Sequence, residues 1–271
     1  MQVTVGCSHN KCTFCGAYKG VLFQIKDDSI IGADLDFAAE NCRRLKRVFL
    51  ADGDALIIPQ ERLVKLFTRI RERLPWIRRI RLYANAKSIM RKSTKQLADL
   101  KALGLDRVYM GLESGHDETL AAISKGADSS MLIQAGQRIK SAGLFLSVTV
   151  LLGIAGILES SVHAKKTAAA LNAMAPNQIA ALTLMLLENT PLSSDVVSGD
   201  FILPDRHDIL VELRTMVEHL TLDKVQFQSN HASNYLSINA RLQRDKPAVL
   251  SLIDQALAGK IHLTAETQRS L

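Results

Sequence analysis

Three of the chain's four cysteines, Cys7, Cys12 and Cys15, follow one another in a C-x4-C-x2-C spacing. The residues just before them, Gln2 to Gly6, read as a β-strand, so the thiols belong to a loop at a strand's C-terminal end. Three thiolates on one loop suit three irons of a [4Fe–4S] cluster and leave the fourth iron open to another ligand. Two rival readings stand beside this one. His9 lies inside the loop and could complete a Cys3His zinc site, although structural zinc sites usually draw ligands from two separated pairs. Cys12 and Cys15 could form a redox C-x-x-C pair, which leaves Cys7 unexplained. Cys42 falls in a helical stretch and reads as a small buried apolar residue.

The elements that must position such a loop alternate between β-rich runs and amphipathic helical ones, the pattern of a parallel sheet wrapped by helices. Strands are expected at Gln2–Gly6, Arg47–Ala51, Ile77–Tyr83, Arg107–Gly111, Leu144–Leu152 and Gln178–Leu184. Helices are expected at Asp34–Arg44, from Pro59 to Leu74, at Ser93–Leu103, over 129–142, and at Ser160–Met174. The Pro59 helix carries Leu63, Leu66, Phe67 and Ile70 on one face. Beyond residue 185 the rhythm loosens: Asn189-Thr190-Pro191 reads as a turn, Asp205–Leu220 as a helix, Lys224–Gln228 as a short β-like stretch and Lys246–Ala258 as an outer helix. Six β/α units are too few for a closed eight-stranded barrel, so the expected class is α/β, a partial (β/α)6 barrel of TIM type. Residues 1–185 would form the barrel and 186–271 an extension packed on it within the same domain.

With 271 residues and 47% hydrophobic content the chain can bury a large core, which excludes disorder and a disulfide-stapled miniprotein. Thirty-four Lys and Arg against 27 Asp and Glu give a formal charge of +7, which attracts polyanions. Much of the Arg lies in one run, Arg69, Arg71, Arg73, Arg78, Arg79 and Arg81. A solvated face is the plain reading of that run, because no RNA-binding signature accompanies it. The first residues lack a signal peptide, and the longest apolar run, Leu144 to Leu158, is too short and Gly-interrupted to span a bilayer. A cytoplasmic protein with no membrane partner is expected.

The cysteine loop, with Phe14 before its last Cys, resembles the radical S-adenosylmethionine (radical SAM) superfamily, although the usual first gap is one residue shorter. Further segments resemble the branch holding oxygen-independent coproporphyrinogen oxidases, methylthiotransferases and the Elongator catalytic subunit. Asp52-Gly53-Asp54, after the second strand, looks like the Gly-Gly-Glu segment that holds the methionine amino group; an Asp-Gly pair there is also an ordinary turn. Tyr109-Met110-Gly111-Leu112-Glu113-Ser114-Gly115 resembles that branch's Gly-x-(Glu/Gln)-Ser segment. The resemblance implies that Glu113, with Ser114, meets the SAM ribose and that Lys125 pairs with the methionine carboxylate; a solvated surface lysine is the other reading of Lys125. The run from Val148 to Gly156 resembles the strand beside the adenine, with Thr149 at a second ribose position and Leu151 and Gly153 along the nucleoside. Glu159 is either the end of that segment or a helix cap.

What the resemblance implies is a [4Fe–4S] cluster and SAM as cofactors, and reductive cleavage of SAM to a radical that takes hydrogen from a small or peptide-like substrate. An electron donor such as flavodoxin or ferredoxin would feed the cluster. His231, Asn234 and Tyr235, in a polar stretch after the short strand at 224–228, are expected to face substrate, with Tyr18 beside them in role; a polar network tying down the C-terminal segment is the alternative. Four cysteines are too few for a second cluster, and no segment reads as a cobalamin domain or an RNA-binding barrel. Two other functions fit part of the pattern: a [4Fe–4S] electron-transfer or scaffold protein that binds no SAM, and an RNA-modifying radical enzyme motivated by the Arg run.

Overall fold

Apolar residues that alternate along strands and recur every three or four residues along helices account for most of the elements that form. The computed structural model describes residues 1–270. Two compact units share the chain: residues 1–10, 20–110 and 134–146 make the first, and 11–19, 111–133 and 147 onward make the second.

The first unit opens with β1 (Thr4–Val5), paired antiparallel with β2 (Gln24–Ile25), and then α1 (Asp28–Asn41). It continues through β3 (Arg47–Leu50), α2 (Gln60–Arg73), β4 (Arg79–Tyr83), α3 (Ala86–Met90) and α4 (Thr94–Ala102) into β5 (Leu105–Glu113), whose last three residues belong to the second unit. Strands β3, β4 and β5 are parallel. Their alternate residues Leu50, Ile80, Leu82 and Val108 are buried, as are Leu63, Leu66, Phe67 and Ile70 of α2. Ser93 and Gln96 form a capping box that starts α4.

The second unit contains α5 (Asp117–Ala122), α6 (Ser129–Ser141) as far as Ile133, and β6 (Phe145–Leu152) from Ser147 on. After these come α7 (Gly156–Met174), β7 (Gln178–Thr183), α8 (Pro191–Ser198), α9 (Arg206–His219), β8 (Val225–Gln228), β9 (Asn239–Leu242) and α10 (Lys246–Leu257). Strands β6, β7 and β8 are parallel, and β9 returns antiparallel to β8. The strand order is β3-β4-β5-β6-β7-β8-β9. That is the connectivity of an open partial barrel, and the α/β class is the one the sequence predicts.

Close approach at Gly115 joins the end of β5 to α7. A Cβ built there would lie 2.4 Å from the Lys166 carbonyl oxygen, and the Gly115 N–H donates to Thr167 Oγ1 at 2.9 Å. Backbone, unlike a flexible side chain, cannot swing aside. Gly115→Ala is therefore expected to destabilise the protein by about 2–3 kcal/mol through overpacking; a thermal midpoint equal to wild type would refute this.

Several elements differ from the sequence reading. The first expected strand shrinks to β1 and leaves the main sheet. Residues 1–4 are nevertheless bonded along the end of β3, through Ala51 N–H to the Met1 carbonyl, Thr4 N–H to the Ala51 carbonyl and a parallel Gln2–Ala51 bridge. Helix α1 starts at Asp28, six residues before the expected Asp34, and ends at Asn41, short of the expected Arg44, so Cys42 is its half-buried C-cap rather than a residue inside a helix. Asn85 accepts from Ser88 N–H and starts α3, an unexpected helix. Helix α8 begins at Pro191 directly after the expected turn. The short β-like stretch at 224–228 is a full member of the sheet, and β9 was not expected at all, because Asn239–Leu242 alternates without an apolar majority. Arg69 and Arg71 donate to the carbonyls of Asp28 and Ile77, and Arg73 pairs with Asp36, so the helical part of the Arg run is bound within the protein.

Candidate active site

Each unit holds part of the expected site. In the first, Gly6 turns the chain at φ 78° into Cys7, and the next residue, Ser8, donates from Oγ to Asp54 Oδ2 at 2.6 Å. Asp54 is fully buried. It also accepts from Ser88 Oγ at 2.5 Å, Asn85 Nδ2 at 2.8 Å and Asn85 N–H at 3.3 Å. Burial pushes its pKa up, and the hydrogen bonds from Ser8, Ser88 and Asn85 work against that rise. The carboxylate is thus an anchor for the residue that follows Cys7. Asp52 is half-buried, takes a 2.7 Å hydrogen bond from Gln2 Nε2, and donates its N–H to Thr4 Oγ1 at 3.0 Å. The Gly53 N–H donates to the Gly6 carbonyl at 3.3 Å. The Asp52-Gly53-Asp54 segment and the entry to the cysteine loop are in this way bonded to each other.

Cys12 and Cys15 belong to the second unit, around Thr13, whose N–H donates to the Ile123 carbonyl at 3.0 Å and whose carbonyl accepts from Leu192 N–H at 3.1 Å. Lys19 Nζ donates to the Cys12 carbonyl at 3.0 Å, and Asn189 Nδ2 to the Gly16 carbonyl at 3.2 Å. Phe14 and Tyr18 are half-buried. Cys7, Cys12 and Cys15 are all partly accessible, and none forms a disulfide. Three reduced, reachable thiols are a soft donor set that fits an iron–sulfur cluster.

Glu113 ends β5 at φ 61°, in the left-handed region, with the Ser114 N–H closing on the Leu112 carbonyl at 2.8 Å. Such a turn at a residue with a Cβ costs on the order of 1–3 kcal/mol and clusters at functional sites. It directs Glu113 Oε1 to Lys125 Nζ at 2.9 Å, both side chains being mostly buried. A Cβ at Gly111 would lie 2.1 Å from Glu113 Oε1, so a larger residue there would displace the carboxylate from this position.

Ser114 is buried and accepts the His116 N–H at 3.0 Å; its Oγ lies 2.8 Å from His163 Nδ1. His163 Nε2 stands 3.4 Å from Glu212 Oε1, attracted but without an aligned hydrogen bond. Glu212 accepts from Gly153 N–H at 2.8 Å and Ser160 Oγ at 2.5 Å. A buried polar chain thereby runs from the end of β5 through α7 and α9 to the end of β6. Thr149 is half-buried on β6, and Leu151 lies two residues on, almost fully buried. Ser8, Asn85, Ser88, His163 and Glu212 went unnoticed in the sequence. The signal for Glu212 was there: a carboxylate among Ile209, Leu213 and Met216 on the apolar face of its helix.

A model of the radical SAM superfamily matches residues 1–165. The chain belongs to the radical SAM superfamily. Solved structures share the fold. They include the cobalamin-dependent S-adenosylmethionine radical enzyme OxsB with aqua-cobalamin and S-adenosylmethionine bound (15% identity, TM-score 0.60, 80% of this chain and 40% of that one). Coproporphyrinogen III oxidase (HemN) from Escherichia coli matches at 15% identity and TM-score 0.58, over 79% of this chain and 51% of that one. The archaeal Methanocaldococcus infernus Elp3 matches at 14% and 0.55, over 86% and 60%. At these identities the likeness is one of fold, and the chain spans 40% of OxsB, the first of these. No curated protein matches the chain.

Radical SAM proteins use a [4Fe–4S] cluster and SAM, and they need a reductant and a substrate. The superfamily match includes the three cysteines. Among the described residues no helix is long and apolar enough to cross a membrane.

The residues expected at substrate are held by the C-terminal segment of the second unit. Asn234 is buried, donating from Nδ2 to the Ala181 carbonyl at 2.9 Å and accepting from Thr183 Oγ1 at 2.9 Å. His231 is exposed, with Nδ1 3.0 Å from Ser233 Oγ. Tyr235 donates to Glu266 Oε2 at 2.6 Å, and the Arg269 guanidinium lies 4.0 Å over its ring. Burial, then the bond to Glu266, pushes the Tyr235 hydroxyl up to about 12. An unfolded tyrosine ionises near pH 10. The stability this group contributes is intact below that pH and is lost as the pH rises toward about 12. Tyrosinate absorbance in an alkaline titration should show one of the four tyrosines ionising last, and Tyr235→Phe should remove that step.

Proposed function

We propose that the chain is a radical SAM enzyme in which Cys7, Cys12 and Cys15 hold the [4Fe–4S] cluster and that it cleaves SAM reductively. The observation that carries this reading is the superfamily match over residues 1–165, which takes in the whole cysteine loop. When bound and reduced, the cluster would supply one electron for cleavage of SAM to methionine and a 5′-deoxyadenosyl radical, which would remove hydrogen from a small or peptide-like substrate. An external one-electron donor of the flavodoxin or ferredoxin type feeds it.

The protein's own residues bind and aim. The backbone carbonyls of Asp52-Gly53-Asp54 receive the methionine ammonium, while the Asp54 carboxylate, at the Glu position of that segment, is engaged by Ser8, Ser88 and Asn85 and acts through Ser8 on the residue beside Cys7. Glu113, with Ser114 behind it, accepts from the ribose hydroxyls, and Lys125 meets the methionine carboxylate. Phe14, Thr149, Leu151 and Gly153 flank the nucleoside. Tyr18, His231, Asn234 and Tyr235 stand toward substrate in this reading, the last two from within the C-terminal hydrogen-bond network.

The decisive experiment is anaerobic reconstitution followed by dithionite and SAM. Equimolar 5′-deoxyadenosine and methionine are expected; a well-formed cluster whose EPR spectrum ignores SAM, with no nucleoside released, would make the protein an electron carrier or scaffold instead. Lys125→Met leaves the mostly buried Glu113 carboxylate without its cation and removes a partner of SAM. SAM affinity in equilibrium dialysis should fall about tenfold or more, the effect of losing one charged hydrogen bond. Unchanged affinity would take Lys125 out of the SAM site.

A further inference from the structure

One face of the first unit's strands carries side chains that none of the roles above uses. Along β3, β4 and β5 the buried positions Leu50, Ile80, Leu82 and Val108 alternate with Arg47, Phe49, Arg79, Arg81, Tyr83, Arg107 and Tyr109. Register sets these side by side: Arg47 beside Arg79, Phe49 beside Arg81, Arg81 beside Arg107 and Tyr83 beside Tyr109. Phe49, Tyr83 and Tyr109 form one ring cluster, with centroids 4.8, 5.5 and 5.7 Å apart. Arg107 stacks on Phe145 with 3.8 Å between its guanidinium carbon and the ring centroid.

Two of these guanidiniums share one carboxylate, Asp106, which sits at the irregularity between Ile80 and Arg81 and lies 3.9 Å from Arg79 Nε and 3.5 Å from Arg81 Nε. The buried Arg81 Nε makes no hydrogen bond among the described residues. A buried donor left in this state points to an absent acceptor. Arg81 is also recessed, its side chain 15% exposed, whereas Tyr83 above it is 48% exposed. A nucleic-acid backbone needs cations at the surface; an oxyanion on a small molecule can reach between the rings.

We propose that this face binds the substrate, and that the substrate is a small molecule bearing a carboxylate or phosphate group beside a flat unsaturated portion. The oxyanion meets the Arg81 fork, with Arg79 and Arg107 beside it, and the flat portion lies on Tyr83 and Tyr109. This deepens the proposed function and rests on it for calling the ligand a substrate.

The test uses the anaerobically reconstituted holoprotein and ligand-observed NMR titration with phenylacetate, phenyl phosphate and neutral phenylacetamide. At least one anion should bind about fivefold or more tightly than the amide, and the tighter of the two identifies the carboxylate or the phosphate as the native group. Arg81→Gln should erase that preference, Arg81→Lys should keep part of it, and Tyr83→Leu should weaken all three probes about threefold. Equal binding of amide and anions, or a folded Arg81→Gln protein that still prefers an anion, overturns the inference. So does a short single-stranded RNA that binds through Arg81 while all three probes stay silent. 5′-Deoxyadenosine release is assayed on the same samples. SAM cleavage without anion preference overturns this inference alone, and anion preference without SAM cleavage overturns the proposed function alone.

Discussion

Cys12→Ala is expected to abolish 5′-deoxyadenosine formation and most of the bound iron. Loss of an outer-shell partner alone costs about 10–100-fold at a metal centre, and a thiolate that ligates iron directly contributes more, so the loss should exceed about 100-fold. The readouts are iron and sulfide content, visible charge-transfer absorption, and released nucleoside. Cys42→Ala is the internal control: Cys42 caps α1, outside the cysteine loop, and its replacement should leave all three readouts at wild-type values. A Cys12→Ala protein that keeps a full cluster and still cleaves SAM would remove the ligand set on which the proposed chemistry depends. A wild-type protein that takes up zinc in preference to iron would remove it equally.

The second large effect is one of stability. Glu212→Ala leaves the Gly153 N–H and the Ser160 hydroxyl without their shared acceptor, and His163 Nε2 without its neighbouring carboxylate, at a site where the Glu212 and His163 side chains have no solvent exposure. Removing one member of a buried polar pair costs about 3–5 kcal/mol, because the remaining groups stay desolvated and unpaired. For a chain of this size that lowers the thermal midpoint by roughly 10 °C. Glu212→Gln keeps an acceptor oxygen and the side-chain shape, so it should lose less than half as much. Equal losses in the two variants would show that the charge, not hydrogen-bond acceptance, is what the network needs. The same substitution carries a functional signature. Glu212 holds Gly153 at the end of β6, and His163 holds Ser114 at the end of β5. In the proposed function those two strand ends meet the nucleoside, so SAM affinity in Glu212→Gln should fall even where the protein remains folded.

The class of the protein was legible from local pattern. The cysteine spacing, the alternation of strand and helix, and the apolar stripe of α2 are short-range features, and short-range features survive in one dimension. The ion pair between Glu113 and Lys125 was not legible, although both residues stand out in the sequence: their contact depends on the left-handed turn at Glu113 and the room above Gly111. Element boundaries were less legible. α1 starts early without a side-chain cap to mark it, and β9 is stabilised by its pairing with β8 rather than by its own composition.

What the residue order determined by itself is the chemistry on offer: three thiols on one loop, acidic and glycine-bearing strand ends, and more Arg than Asp and Glu can balance in the β4 region. What only the folded chain decided is which of those groups are already engaged. Asp54 turned out to be buried under four donors, Ser114 to be tied to His163, and Tyr235 to be tied to Glu266, whereas Arg81 keeps a buried donor unmet. The physical reason is that hydrogen-bond satisfaction is a property of partners brought together from 31 to 49 residues away, as Asn85 to Asp54 and Ser114 to His163 are. No local pattern in the sequence encodes a partner at that separation; strand register and helix packing select it.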